Sequence, residues 1–232
     1  MHRFLYLLLV VAMARPAVAQ KIIEKTAPVA AGQRVFLDLR QATSIRVRTG
    51  APGQMALKAT VSINQNRLND ALQLTVVPTA EQLRVTADFD KEMLKKAQPG
   101  DCASYDDHGH GRNMWYGQQV CDDIAYEITL PADVALRVFT YSGNVDIVGF
   151  SNAIEAKSLS GFIDVSWPSN TGAEISLKTL NGEVYTDQDI AFNTALRRNP
   201  DFGYWLQGKL KGSGPVVKLE SISNDVYFRK RK

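Results

Sequence analysis

Asp106-Asp107-His108-Gly109-His110 is the densest run of metal-ligating side chains in the 232-residue chain. Carboxylates and imidazoles are ligands for zinc and calcium. A His-x-His pair on a glycine-rich segment lacks a second ligand pair at a known spacing, however. The run therefore reads as a hydrophilic hairpin tip, and no metal or other cofactor is expected. The aromatic pairs Trp115-Tyr116 and Tyr204-Trp205, with Trp167, are the second candidate. Aromatics on exposed loops stack on sugars and mark contact surfaces, and they equally suit caps over the ends of an apolar core. Trp115, Tyr116, Tyr204 and Trp205 are the residues to test for ligand contact. Asp146 and Asp164 are the third candidate, a carboxylate row of the kind polysaccharide-acting enzymes use. The later repeats place Tyr185 and Tyr227 there, so the row is not sustained. Hydrolysis needs a nucleophile with a base and an orienting group, or two carboxylates facing one bond. Ser142 and Ser160 recur with no His in the phrase around them. A serine that serves every repeat is a turn residue, because catalysis needs only one. No catalytic residue is expected, and the chain reads as a non-enzyme.

These residues hang on a phrase written four times, at Leu136–Ile147, Ile154–Val165, Ile175–Thr186 and Val217–Phe228. Its pattern is apolar-x-apolar-x-Ser/Thr-apolar-Ser/Asn-Gly/Asn-x-apolar-x-apolar. The corner residues Gly143, Gly161, Gly182 and Asn224 are spaced by 18, 21 and 42 residues, a period of about 20. Each half of the phrase alternates apolar and polar, which is a half-buried β-strand. Gly and Asn tolerate positive φ and can make the sharp corner between the halves. One repeat cannot bury its own apolar face, so stacked coils are expected. Asn-Gly between alternating strands is also a hairpin signal, which leaves a β-sandwich as the alternative. The steady period favours a single-stranded parallel β-helix, a β-solenoid.

The composition is 45% apolar and 22% charged, enough for one or two domains with a real core. Residues 1–19 read as a secretory signal: Arg3, the apolar run Phe4–Met13, then Ala17-Val18-Ala19 before Gln20. The run is too short to span a membrane, and no later segment is apolar enough, so the mature chain is expected to be exported, without a transmembrane segment. The formal charge of +3 falls to about +1 without Arg3 and Arg15, which gives no case for nucleic acid. Residues 20–123 read as irregular β coils. Alternating runs lie at Arg34–Leu39, Ser44–Arg48, Met55–Ile63, Ala71–Val77 and Gln82–Asp88, and a loop insertion at 91–123 follows. Cys102 and Cys121, the only cysteines, bracket that loop and read as a disulfide worth about 3 kcal/mol. Regular repeats fill 124–228, with an insertion at 187–215 in which Tyr204–Leu210 reads as an extra strand. Residues 229–232 form a basic tail.

Tyr141-Ser142-Gly143-Asn144-Val145-Asp146-Ile147, Leu159-Ser160-Gly161-Phe162-Ile163-Asp164-Val165 and Leu180-Asn181-Gly182-Glu183-Val184-Tyr185-Thr186 resemble the bacterial "putative adhesin" family of secreted domains, Bacteroidetes-type members included. Phe36-Leu37-Asp38-Leu39 and the close at Gly212–Tyr227 are similar to its first and last coils. The resemblance implies a right-handed parallel β-helix and carries no catalytic residues. Asn224-Asp225 departs from the usual Gly-containing corner. The expected function is a cell-envelope binding scaffold whose partner is a surface glycan or an envelope protein. The alternatives are a structural envelope protein and a polysaccharide-acting enzyme.

Overall fold

A computed structural model of the chain describes residues 19–102, 113–115, 117–193 and 203–231, with the backbone alone for 113–115. Residues 1–18 of the segment read as a secretory signal lie outside the described residues. So do Tyr116, His108 and His110.

The described residues form nineteen strands. The first six are β1 (Lys21–Pro28), β2 (Arg34–Leu39), β3 (Ser44–Thr49), β4 (Gln54–Ile63), β5 (Leu72–Pro78) and β6 (Gln82–Phe89). After a single helical turn, α1 (Lys91–Leu94), come the hairpin β7 (Asn113–Trp115) and β8 (Gln118–Val120) and the long strand β9 (Asp122–Leu130). The repeats follow as β10 (Ala135–Thr140), β11 (Asn144–Val148), β12 (Ile154–Ser158), β13 (Ile163–Trp167), β14 (Ala173–Thr179) and β15 (Val184–Thr186). The chain ends with β16 (Ile190–Phe192), β17 (Tyr204–Leu210), β18 (Val216–Ser221) and β19 (Val226–Lys230). The alternating runs read from the sequence form strands, Tyr204–Leu210 among them, except that Ala71 ends a short helical turn and its strand begins at Leu72.

Two large mixed sheets hold all but the β7–β8 hairpin. One has the order β1-β4-β9-β3-β11-β13-β19-β15 and the other β16-β17-β14-β18-β12-β10-β2-β6-β5. Each repeat sends its first strand to the nine-stranded sheet and its second to the eight-stranded one. The expectation of a single-stranded parallel β-helix is not met. A solenoid stacks each coil on the one before it, whereas here the fourth repeat lies between the second and the third. Antiparallel strands also enter both sheets: β1 and β4 beside β9, β5 beside β6, and β17 and β16 beside β14. The physical reason is the 187–215 segment. It is long enough to carry the chain back over the third repeat, and its strand β17 takes the outer edge of β14 that a fourth coil would have used.

Period-2 alternation now explains the core. Val138, Ala156, Leu219 and Leu177 are successive register partners on β10, β12, β18 and β14, each at most 1% exposed. Val145, Ile163 and Val226 form the matching row of the other sheet, also fully buried. Full burial contributes about 1.5–3 kcal/mol for each such aliphatic side chain. Residues of both large sheets belong to one apolar cluster.

The corners are built by a hydroxyl two residues before the expected serines. Thr140, Ser158, Thr179 and Ser221 are buried. Each accepts from the backbone N–H three residues on: Gly143 at 3.2 Å, Gly161 at 2.8 Å, Gly182 at 3.0 Å and Asn224 at 3.2 Å. Three of them also donate to the carbonyl of the adjacent corner, Ser158 to Gly143, Ser221 to Gly161 and Thr179 to Asn224. Every buried hydroxyl in the ladder is thus satisfied, as burial requires. The corner glycines do not have positive φ. They are needed for close approach: a Cβ on Gly161 would lie 2.0 Å from the Gly143 carbonyl oxygen, and one on Gly182 2.3 Å from that of Asn224. Asn224 fits without the left-handed conformation expected of it, and its Nδ2 donates to the Ser160 carbonyl at 3.3 Å.

One core group runs against this economy. Tyr126 is fully buried on β9, and its hydroxyl has no hydrogen-bond partner among the described residues. Burial pushes its pKa up. An unsatisfied buried hydroxyl costs about 1–3 kcal/mol. Tyr126→Phe is therefore expected to raise the urea midpoint, by about 1 kcal/mol of stability. A loss of stability instead would show that the hydroxyl holds something in place.

Candidate binding surface

The outward side chains of the nine-stranded sheet fall into rows because its central strands run parallel and in register. One row reads Arg84, Phe36, Arg137, Glu155, Lys218 across β6, β2, β10, β12 and β18. The next reads Phe139, Lys157, Glu220, Lys178, Trp205 across β10, β12, β18, β14 and β17. In each row one carboxylate is shared between two cations. Glu155 lies 3.3 Å from Arg137 and 3.6 Å from Lys218, and Glu220 lies 3.3 Å from Lys157 and 3.5 Å from Lys178. Net attraction from the lysines holds the Glu220 carboxyl below its usual range, although burial, the largest single influence, pushes it up. A positive surplus remains on the first row, whereas the second continues to Asp38 on β2.

Beside the first row the side chains shrink to Ala135 and Ala153, with Arg34 and Val216 flanking them. This leaves a trough of about 410 Å³ along the face, walled by Arg34, Phe36, Arg84, Arg137, Glu155, Val216 and Lys218. The Phe36 ring sits between two guanidiniums, with Arg84 at 4.4 Å and Arg137 at 5.2 Å from its centroid. None of these residues stands out by type in the sequence. The alternation of Arg34, Phe36 and Asp38 is legible there, but the meeting of five strands is not.

The opposite face carries the carboxylate row. Asp146 and Asp164 are register partners, followed by Tyr227 and Tyr185. Each carboxylate is engaged by an arginine. Arg48 reaches Asp146 at 2.5 Å, while Arg229 Nε donates to Asp164 Oδ1 at 3.0 Å and its Nη2 closes onto Oδ2. Burial pushes the Asp164 carboxyl up, against the opposing pull of Arg229. Tyr185 and Tyr227 stack on each other at 5.0 Å. Arg229 and Lys230, read from the sequence as part of a basic tail, belong to β19.

Of the aromatic residues singled out in the sequence, Tyr116 and the Trp115 side chain lie outside the described residues, and Trp167 does not share a surface with Tyr204 and Trp205. Tyr204 and Trp205 lie on β17 at one end of the nine-stranded sheet, opposite Thr179 and Lys178. Trp205 is 58% exposed, with the Lys178 ammonium 5.9 Å from its ring and its Nε1 donating to Ser176 Oγ at 3.3 Å. Trp115 is on the separate β7–β8 hairpin, which leads into β9 toward the other end of the stack. Trp167 is a core residue, fully buried.

The Cys102–Cys121 disulfide is present, with its Cα atoms 5.6 Å apart. Asn64, buried and left-handed, accepts from Cys121 N–H at 3.0 Å beside it. Asp101 closes the base of the loop. It accepts from the Gln98 N–H at 2.8 Å and from Arg67 at 2.6 Å, and the Arg67 hydrogen bond holds its carboxyl below the usual range. Among the described residues no group of three or more His, Cys, Asp or Glu side chains is placed to hold a metal ion. No helix of the described residues is long and apolar enough to cross a membrane.

The described residues define a class, an all-β protein of two mixed sheets, and a solved structure is similar to it in fold. A "putative cell adhesion protein" from Clostridium sporogenes is 10% identical, with 91% of this chain and 100% of that one covered at a TM-score of 0.52. A "putative adhesin" from Bacteroides fragilis is 12% identical over 91% of this chain and 97% of that one, at a TM-score of 0.32. The first likeness supports an adhesin-like fold and nothing finer. No family model and no curated protein sequence matches the chain.

Proposed function

We propose that the protein is an exported, non-enzymatic binding scaffold of the cell envelope and that the outer face of the nine-stranded sheet is its contact surface. The observation that carries this reading is the trough beside the Arg84–Lys218 row, open to solvent on the parallel central strands of the sheet. The adhesin-like fold and the Cys102–Cys121 disulfide support export, because disulfides persist in oxidising compartments. The Asp146 and Asp164 carboxylates, each held by an arginine, make the opposite face a poor hydrolytic site. Envelope fractions and a glycan array, probed with the chain from Gln20 onward, test the reading. Binding is expected to fall with Lys178→Glu on the proposed face and to survive Lys58→Glu on the other. Equal loss from both substitutions, or no binding at all, would overturn it.

A structural role in assembly is the second reading. Among the described residues β1 and β5 are edge strands at the same end of the two sheets, with Ile22 58% and Val77 45% exposed. Open edges invite pairing with another chain, but Lys21, Lys25 and Pro28 on β1 and Pro78 on β5 blunt these two.

A further inference from the structure

We propose that the trough over Ala135 and Ala153 binds an acidic polysaccharide, with its carboxylate or sulfate groups held by Arg84, Arg137 and Lys218. This deepens the scaffold reading and rests on it. Those three cations occupy every second strand of the row, with Phe36 and Glu155 on the strands between. Neighbouring strands lie about 4.8 Å apart, so the cations recur every ~10 Å. That is about the length of a disaccharide, and it suits a polymer with one anion per two sugars. Duplex DNA presents charge far more densely, one per ~1.7 Å of axis.

Phe36 preorganises the site. The Arg84 and Arg137 guanidiniums lie over its ring, which limits their rotamers and leaves their N–H edges to donate. Arg84 makes no ion pair among the described residues, and Arg137 shares its one carboxylate, Glu155, with Lys218. An incoming carboxylate or sulfate therefore meets a fork of donors whose charge is not already neutralised. The alanines leave room for a sugar ring. Val216, 51% exposed, offers the C–H face of that ring an apolar wall.

The test titrates the chain from Gln20 onward with hyaluronan, heparin, neutral dextran and duplex DNA at two salt concentrations. Saturable binding to hyaluronan or heparin, weakened by salt, is expected; binding to hyaluronan, which has carboxylates alone, assigns the carboxylate, and binding to heparin without hyaluronan assigns the sulfate. Arg84→Ala and Arg137→Ala should each lower affinity about tenfold. Phe36→Leu should lower it too, by releasing both guanidiniums. Thermal melts check that these variants fold, and Arg84, being exposed, should leave the melt unchanged. Unchanged affinity in folded Arg84→Ala and Arg137→Ala, or equally tight binding to DNA, would overturn the proposal. Binding to dextran or envelope material alone would overturn the acidic ligand and keep the scaffold. Binding to nothing would overturn both.

Discussion

Gly161→Ala is expected to destabilise the fold by about 3 kcal/mol, the upper end of the usual cost of overpacking. The added methyl would sit 2.0 Å from the Gly143 carbonyl oxygen and 2.9 Å from the Asn144 nitrogen, both backbone atoms that cannot rotate away. Relief requires the second corner to move off the first. That movement strains the bond from Gly161 N–H to Ser158 Oγ and the one from Ser221 Oγ to the Gly161 carbonyl. One substitution thus disturbs three stacked corners. For a chain of this size about 3 kcal/mol corresponds to a fall of about 10 °C in Tm. The comparison is Gly32→Ala. Gly32 has φ +67°, and no atom lies within 4 Å of where its methyl would go, so only the backbone cost of about 1 kcal/mol applies. Urea unfolding of the two variants decides the matter. Equal losses would mean that the corners are not in tight contact and that glycine serves there for its conformational freedom alone.

The corners also show how far the sequence can be read. The phrase is a local pattern, so strands and corners are legible from it. Its cause is only half legible. Glycine at 143, 161 and 182 suggests positive φ, and the constraint is instead the neighbouring corner. Ser142 and Ser160 stand out because they touch the glycine in sequence, yet the hydroxyls that bind the backbone belong to Thr140 and Ser158, which point inward. The order of the strands is not legible at all. Similar phrases have similar faces, and nothing local says that β18 pairs with both β12 and β14. β1 is hidden in the sequence because its core-facing positions include Lys21 and Lys25, which spoil the alternation of an edge strand. The trough depends on the register of β6, β2, β10, β12 and β18. Its residues can be found only once those strands are laid side by side.

Trp167 and Trp205 are indistinguishable as residues, and the structure separates them into opposite expectations. Trp167→Ala is expected to cost about 4 kcal/mol, in the range for deleting a buried aromatic. Its ring is fully buried on β13, 6.2 Å from that of Phe228, and its Nε1 donates to the Thr171 carbonyl at 3.0 Å. The same residue's carbonyl accepts from Gln188 Nε2 at 3.1 Å and from Arg231 N–H at 2.9 Å, so a collapse of the ring pocket would loosen the end of the core as well. Trp167→Phe separates the two contributions. It keeps most of the apolar contact but leaves the Thr171 carbonyl without its donor, a loss of about 1–2 kcal/mol. Trp205→Ala should change stability by no more than about 0.5 kcal/mol, because the side chain is mostly in solvent. If Trp205→Ala unfolds the protein as readily as Trp167→Ala, β17 is a structural clamp on β14 and its exposed ring cannot be assigned to contact with a partner. If Trp167→Ala is mild, the two sheets do not close on each other at that end, and the rigid outer face on which the binding proposal depends loses its support.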